Sequence, residues 1–175
     1  MSGDSGGQSN QKLIQTVISE CHRIEEDALY SSKSHYNVSD RWDKLNLWFG
    51  VPLAILTALS GIAAIKSTAN AVVAISITAT ILTALNTSLN PSKRAALHKS
   101  AANEYNKLKN EVRIFREILT SNFDFTDKTL IEKLTSYSDR RNQLNSSSPN
   151  IPRWAYEKTQ RDVNQGFTKY NIDKE

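Results

Sequence analysis

Hydrophobic positions divide the chain into a polar arm, a long apolar centre and a second polar arm. The centre runs from Leu45 to Ser92, 48 residues with one charged side chain, Lys66. That lysine separates two apolar runs of 21 residues, Leu45 to Ile65 and Ala69 to Leu89. At about 1.5 Å of rise per residue each run makes a helix of roughly 32 Å, close to the thickness of bilayer hydrocarbon. The rival is a pair of buried helices in a soluble bundle. Such helices in a small protein still show charge every three or four residues on one side, and neither run does. The pattern predicts an all-α membrane protein: a two-transmembrane helical hairpin over residues 45–92, with spans 45–65 and 69–89, and long cytosolic helical extensions.

The arms carry helical periods. From Gln11 to about Ser34 the stripe Leu13, Val17, Cys21, Ile24, Ala28 steps by four or three residues, widened by Ile14 and Ile18. The pattern lapses between Ser34 and Asp40, and Ser39-Asp40 then reads as the cap of a new helix leading into the first span. Met1 to Asn10 lacks an apolar core and reads as a short flexible tail rather than a signal peptide. The expected divisions are thus 1–10 tail, 11–44 cytosolic helical region, 45–92 spans, 93–166 cytosolic helical region and 167–175 tail.

Beyond the second span, Leu97, Ala101, Tyr105, Leu108, Val112, Phe115 and Leu119 alternate steps of four and three. This heptad seam suits a partner helix or packing on its own chain, and spacing does not choose between them. Asn122 to Asp127 is a predicted break with Thr126 or Asp127 as cap, followed by a helix to about Leu144. The serines and prolines of Asn145 to Pro152 predict a loop, and a last helix covers about Arg153 to Gln165, with Trp154 near its start and Gly166 ending it. The seam and Trp154 form the candidate assembly or partner surface.

Within the spans, polar and small residues are ordered. Ser76, Thr80, Thr83, Thr87 and Asn90 follow steps of four, three, four and three, one polar stripe down the second span. In hydrocarbon such a stripe faces water or another helix, so it either lines a pore or bonds back to its own helix and glues neighbours. Ala54 with Ala58, and Thr57 with Gly61, place small residues four apart on the first span for close helix packing. Pro52 is expected to kink that span or free a carbonyl. Because one hairpin cannot enclose a channel, a conducting form needs a homo-oligomer.

Charge gives the spans a direction. Arg41 and Lys44 precede the first span and Lys93, Arg94 and Lys99 follow the second, against Lys66 alone in the turn, so both termini are expected in the cytoplasm. Trp42, Trp48, Lys93 and Arg94 stand where interfacial anchors belong. The net charge of +4 is spread among acids rather than clustered in an arm, which favours a lipid surface over nucleic acid as partner. The mean hydropathy of −0.47 averages the apolar centre with polar flanks and decides nothing.

Candidate chemistry is sparse. His22, His35 and His98 are scattered, and Cys21 and His22 point to different faces of one helix. No HExxH, CxxC, phosphate-binding lysine loop or dinucleotide turn is present, and three of the six glycines fall in the first seven residues. No enzymatic activity, cofactor or metal is expected. The single cysteine excludes an internal disulfide and suits a reducing compartment.

Two segments carry a family likeness: Pro91-Ser-Lys-Arg-Ala-Ala-Leu-His98 running on to Ala101, Ala102, Tyr105 and Leu108, and Pro149-Asn-Ile-Pro-Arg-Trp-Ala-Tyr156. With the order of parts, the chain from about Lys12 to Gly166 resembles the SLATT family of two-transmembrane effector domains associated with bacterial second-messenger nucleotide synthetases and SLOG sensors. The resemblance implies a pore-forming or membrane-disrupting effector of a bacterial anti-phage conflict system in the inner membrane, oligomeric and triggered by a separate sensor or signal-producing protein. A non-conducting anchor that docks a cytosolic signalling partner is the alternative. The family supplies no catalytic residues.

Overall fold

The computed structural model describes residues 5–65, 69–121 and 125–168. These form five helices: α1 (Ser5–Ile65), α2 (Ala69–Leu89), α3 (Pro91–Thr120), α4 (Asp127–Ser147) and α5 (Arg153–Asn164). No strand occurs among the described residues. The expected turn at Lys66 and its neighbours to position 68, and the first part of the break after Ser121, lie outside the described residues. The chain divides into two compact units, one of Met1–Asn37 with His98–Glu175 and the other of Val38–Leu97.

The first unit has a helical core. Val17, Cys21, Ile24 and Ala28 of α1 pack with Tyr105, Leu108, Val112, Phe115 and Leu119 of α3 and with Leu130 of α4. Each helix offers one apolar stripe at steps of three and four, and burying it supplies most of the helices' stability. Leu13, Ile14, Ile18, Leu134, Tyr137 and Leu144 close the edges. Around the rim Arg116 pairs with Glu25 at 3.1 Å, Arg140 with Glu104 at 3.0 Å and Glu111 at 2.5 Å, and Arg141 with Asp27 at 3.2 Å. These tie α1 and α4 to α3 or to each other and fix which face turns inward. The exposed pairs among them, Arg140–Glu104 and Arg141–Asp27, contribute about 0.2–1 kcal/mol each.

Helix ends follow their local chemistry. Thr126 adopts an extended backbone before α4, and its hydroxyl accepts from the Thr129 N–H at 3.3 Å. Thr126→Ala is expected to lower stability by about 1 kcal/mol, read from a shift in the thermal unfolding midpoint of the detergent-solubilised chain. Gly166 has φ +79° and closes α5 with a Schellman pair, its own N–H to the Val163 carbonyl and the Phe167 N–H to that of Asp162.

The expected lapse at Ser34 to Asp40 is absent, because α1 runs unbroken from Ser5 to Ile65. Ser32, Ser34, His35 and Ser39 are buried, and they continue the Val17, Cys21, Ile24, Ala28 stripe with polar side chains. Ser32 donates to the Leu29 carbonyl of its own helix, whereas Ser34, His35 and Ser39 take partners from distant parts of the chain, so Ser39, which read as a cap, is instead an inward-facing helix residue. The start of α1 at Ser5 likewise replaces part of the expected tail. Pro52 lies within α1 without ending it and leaves the Trp48 carbonyl without its intrahelical donor.

In the second unit the residues of α1 and α2 sort by exposure. Trp42, Leu45, Phe49, Leu53, Leu56 and Ser60 of α1 are buried or half-buried, as are Val72, Ile75, Ala79, Leu82, Asn86 and Leu89 of α2. Val51, Ile55, Leu59 and Ile62, and Val73, Ile77, Ile81 and Leu85, are exposed at steps of four or close to it. Two helical stretches are long and apolar enough to cross a membrane, and 6% and 0% of their most apolar windows are buried. Core helices of a soluble bundle would be mostly buried, and within this chain these two are not.

Candidate functional site

Every member of the α2 stripe, Ser76, Thr80, Thr83, Thr87 and Asn90, is exposed. The reason is angular: the half-buried positions 72, 75, 79, 82, 86 and 89 form another line on the same helix. Thr80 donates its hydroxyl to the Ser76 carbonyl and Thr83 to that of Ala79, both at 2.8 Å. Back-bonding of this kind satisfies the hydroxyl proton locally while oxygen lone pairs remain open to water or a donor. On α1, Ala54, Thr57, Ala58 and Gly61 are also exposed, and Thr57 donates to the Leu53 carbonyl at 2.8 Å. A Cβ added at Gly61 would meet nothing within 4 Å, so this small surface is not used for packing inside the chain.

Asn90 has a structural role that the stripe did not suggest. Its φ is +44°, it donates its N–H to the Asn86 carbonyl at 2.9 Å, and its Oδ1 accepts from the Lys93 N–H at 3.3 Å. One residue thus ends α2 in the left-handed region and caps α3, whose first residue is the buried Pro91. Arg94 donates Nε–H to the Leu89 carbonyl at 2.8 Å, and its guanidinium lies 5.1 Å over the Trp42 ring. Ser39 donates to the Ala95 carbonyl at 3.0 Å. Asn90→Ala is expected to cost about 2 kcal/mol, combining left-handed strain with the lost cap. Asn90→Gly, which removes the strain, should cost only about a few tenths; thermal unfolding of both variants in detergent separates the two contributions.

The remaining anchors are both exposed. Trp48 is 67% exposed and meets Phe49 edge-on at 5.7 Å, and Lys93 is exposed. Along the seam, Ala101, Tyr105, Leu108, Val112, Phe115 and Leu119 are buried within the chain, whereas Leu97 is 50% exposed. The inward line begins instead with Ala95, His98 and Ala102. The open choice between partner and own chain therefore falls to the own chain for these buried residues, since α1 and α4 already fill the seam. Leu97 falls off it because His98, one residue on, takes the inward position. Trp154 is half-buried at the start of α5.

A polar layer lies inside the first unit. The His35 and His98 Nδ1 atoms are 2.9 Å apart, and Tyr105 stacks on His35 at 5.6 Å. Ser34 donates to Thr159 Oγ1 at 3.0 Å, as does Asn37 Nδ2, and Lys158 Nζ reaches Asn37 Oδ1 at 2.9 Å. Tyr36 donates to Asn103 Oδ1 at 2.7 Å, and Tyr105 to Asn145 Oδ1 at 2.8 Å. The sequence did hold a signal for the histidines. His35 lies seven residues after Ala28 on the α1 stripe, and His98 seven before Tyr105 on that of α3.

Burial dominates the titration of this unit. It pushes the Cys21 thiol up to about 11, against a smaller lowering by Arg116, so the thiol is protonated at neutral pH and is a poor nucleophile. It lowers His35 to about 4, with the charge of His98 acting the same way, and raises Tyr105. Among the described residues no group of three or more His, Cys, Asp or Glu is placed to hold a metal ion. A groove of about 580 Å³ beside α1 and α3 sets Lys109, Arg113 and Arg116 against Glu25, Glu26 and Glu117, a balance that offers little to a charged ligand.

No family model, no curated protein and no solved structure matches this chain.

Proposed function

We propose that this protein is a pore-forming or membrane-disrupting effector: several copies assemble their spans as hairpins in a bacterial inner membrane, with both termini cytoplasmic, and depolarise it when a separate sensor triggers them. The observation that carries this reading is the outward placement of Ser76, Thr80, Thr83 and Thr87 as one line on a helix without a charged residue. A polar line facing hydrocarbon is unfavourable, and an assembly that turns it to a shared aqueous axis removes the cost. The unused small surface of Ala54, Thr57, Ala58 and Gly61 supplies a contact between copies. The likeness to SLATT effectors agrees with both.

Asn86 adds a reason for α2 to move. Its Oδ1 is buried without a hydrogen-bond partner, so the present packing carries an unsatisfied acceptor that a rotated α2 would expose to water. Asn90, which ends α2 and caps α3, is the natural pivot.

Reconstitution of the full chain into liposomes loaded with an ion-reporting dye tests the proposal. Flux should appear at high protein-to-lipid ratio, where mass action drives assembly without the trigger, and rise more steeply than linearly with that ratio, as an oligomeric path requires. Intact vesicles at every ratio, with insertion verified by protease protection, would support the second reading, a non-conducting anchor that docks a cytosolic signalling partner. That reading draws on the Thr80 and Thr83 hydroxyls, whose protons are already satisfied within α2.

A further inference from the structure

His35 of α1 and His98 of α3 meet inside the first unit with 1% and 7% of their surfaces exposed. Two Nδ1 atoms 2.9 Å apart share one proton: one ring donates its Nδ1–H, and the other accepts through a lone pair and carries its own proton on Nε2. The rings stand 5.1 Å apart at 44°, and the Tyr105 ring covers His35 at 17°. The titratable groups facing His35 are therefore His98 and Tyr105, both from α3. From α5, the neutral Thr159 bonds the adjacent Ser34 and Asn37, while Lys158 is engaged by Asn37 and by Asp162 at 2.9 Å. From α4 and the residue after it, the neutral Asn145 and Ser148 bond the Tyr105 hydroxyl.

We propose that the His35–His98 pair is a proton-released latch between α1 and α3. It is closed while the pair is neutral, with one proton between its Nδ1 atoms. A proton taken from solvent goes to the Nε2 lone pair of the donating ring, since the Nδ1 lone pair of the other is already engaged, and places a positive charge on the pair away from water. The contact then has to open for the charged ring to hydrate, and the bonds of Ser34 and Asn37 to Thr159 are next in line. The latch rests on contacts within the first unit and holds whether or not the spans conduct.

The direction of the pH effect follows from the two states. An opened histidine takes its proton near 6.5, whereas burial holds closed His35 to about 4. The open form binds more protons across that interval, so the latch is fully held above 6.5 and weakens as pH falls toward 4, by about tenfold in the opening equilibrium per pH unit.

Hydrogen exchange of the full chain in detergent micelles, corrected for intrinsic exchange, tests this over residues 28–37 and 98–105. Opening should increase about tenfold for each unit below pH 6.5. The double variant His35→Leu/His98→Leu should lose that slope, and His22→Gln, at an exposed position, should keep it. An unchanged slope in the leucine pair overturns the latch. Nitrogen-15 NMR of histidine-labelled unaltered protein gives a reading independent of variant folding. One buried imidazole should stay neutral well below pH 6, and titration of both buried rings near 6.5 would equally overturn it.

Discussion

Replacing Thr80, Thr83 and Thr87 together with leucine is expected to reduce ion flux through reconstituted protein by at least about tenfold, because a ring of isobutyl groups in a narrow pore favours dewetting over a water column. Insertion should be unaffected. Leucine is a better helix former than threonine, and it removes from α2 polar groups that hydrocarbon disfavours. Thr80 and Thr83 donate within their own helix, so no hydrogen bond to another helix is lost with their hydroxyl protons. The informative comparison is with Val73, Ile77 and Ile81, exposed apolar residues of the same helix. Changing those three to leucine alters side-chain shape, and size at Val73, without removing a polar group and should leave flux within about twofold if they face lipid. Equal flux from the threonine variant and the unaltered chain, at equal incorporation, would remove the stripe from the conduction path and leave the anchor reading standing.

Leu108→Ala is expected to destabilise the first unit by about 2–5 kcal/mol, the range for emptying a fully buried leucine site. Leu108 is 0% exposed at the centre of the cluster that joins α1, α3 and α4. Leu97→Ala, at a position 50% exposed, should change stability by no more than about 0.5 kcal/mol. Chemical unfolding in detergent, followed through exchange protection of α3, distinguishes the two. Repeating it at two protein concentrations tests whether the seam packs in its own chain: an intermolecular coiled coil would make the midpoint concentration-dependent, and an internal one would not. Similar losses for both variants would show that the inward face of α3 is not the one described.

Much of this was legible along the chain. The apolar runs at 45–65 and 69–89 were clear because hydrocarbon-spanning helices need length and lack of charge, both local properties of sequence. The α3 seam was legible from Ala101 to Leu119 because a 3.5-residue period survives whatever packs against it. Leu97 was misplaced at the end of that line, where Ala95 and His98 were an equally good continuation once polar residues were admitted to a core. The same assumption hid the continuity of α1. Ser34, His35 and Ser39 read as a break because serine and histidine favour caps and turns when they have only local partners. Here Thr159, His98 and the Ala95 carbonyl satisfy them from 125, 63 and 56 residues away.

Asn90 shows the limit at a single residue. Its spacing put it on the α2 stripe, and it is exposed there, but its positive φ and its cap to Lys93 make it the junction of two helices. By itself the sequence determined the helical class, the two apolar segments and their polar and small surfaces, because these depend on composition and period. Only the tertiary structure decided which polar residues lie inside, which of the two seam readings holds, and that two distant histidines share a proton. Those depend on which atoms from other helices satisfy a buried polar group, and periodicity along one helix carries no record of its partners.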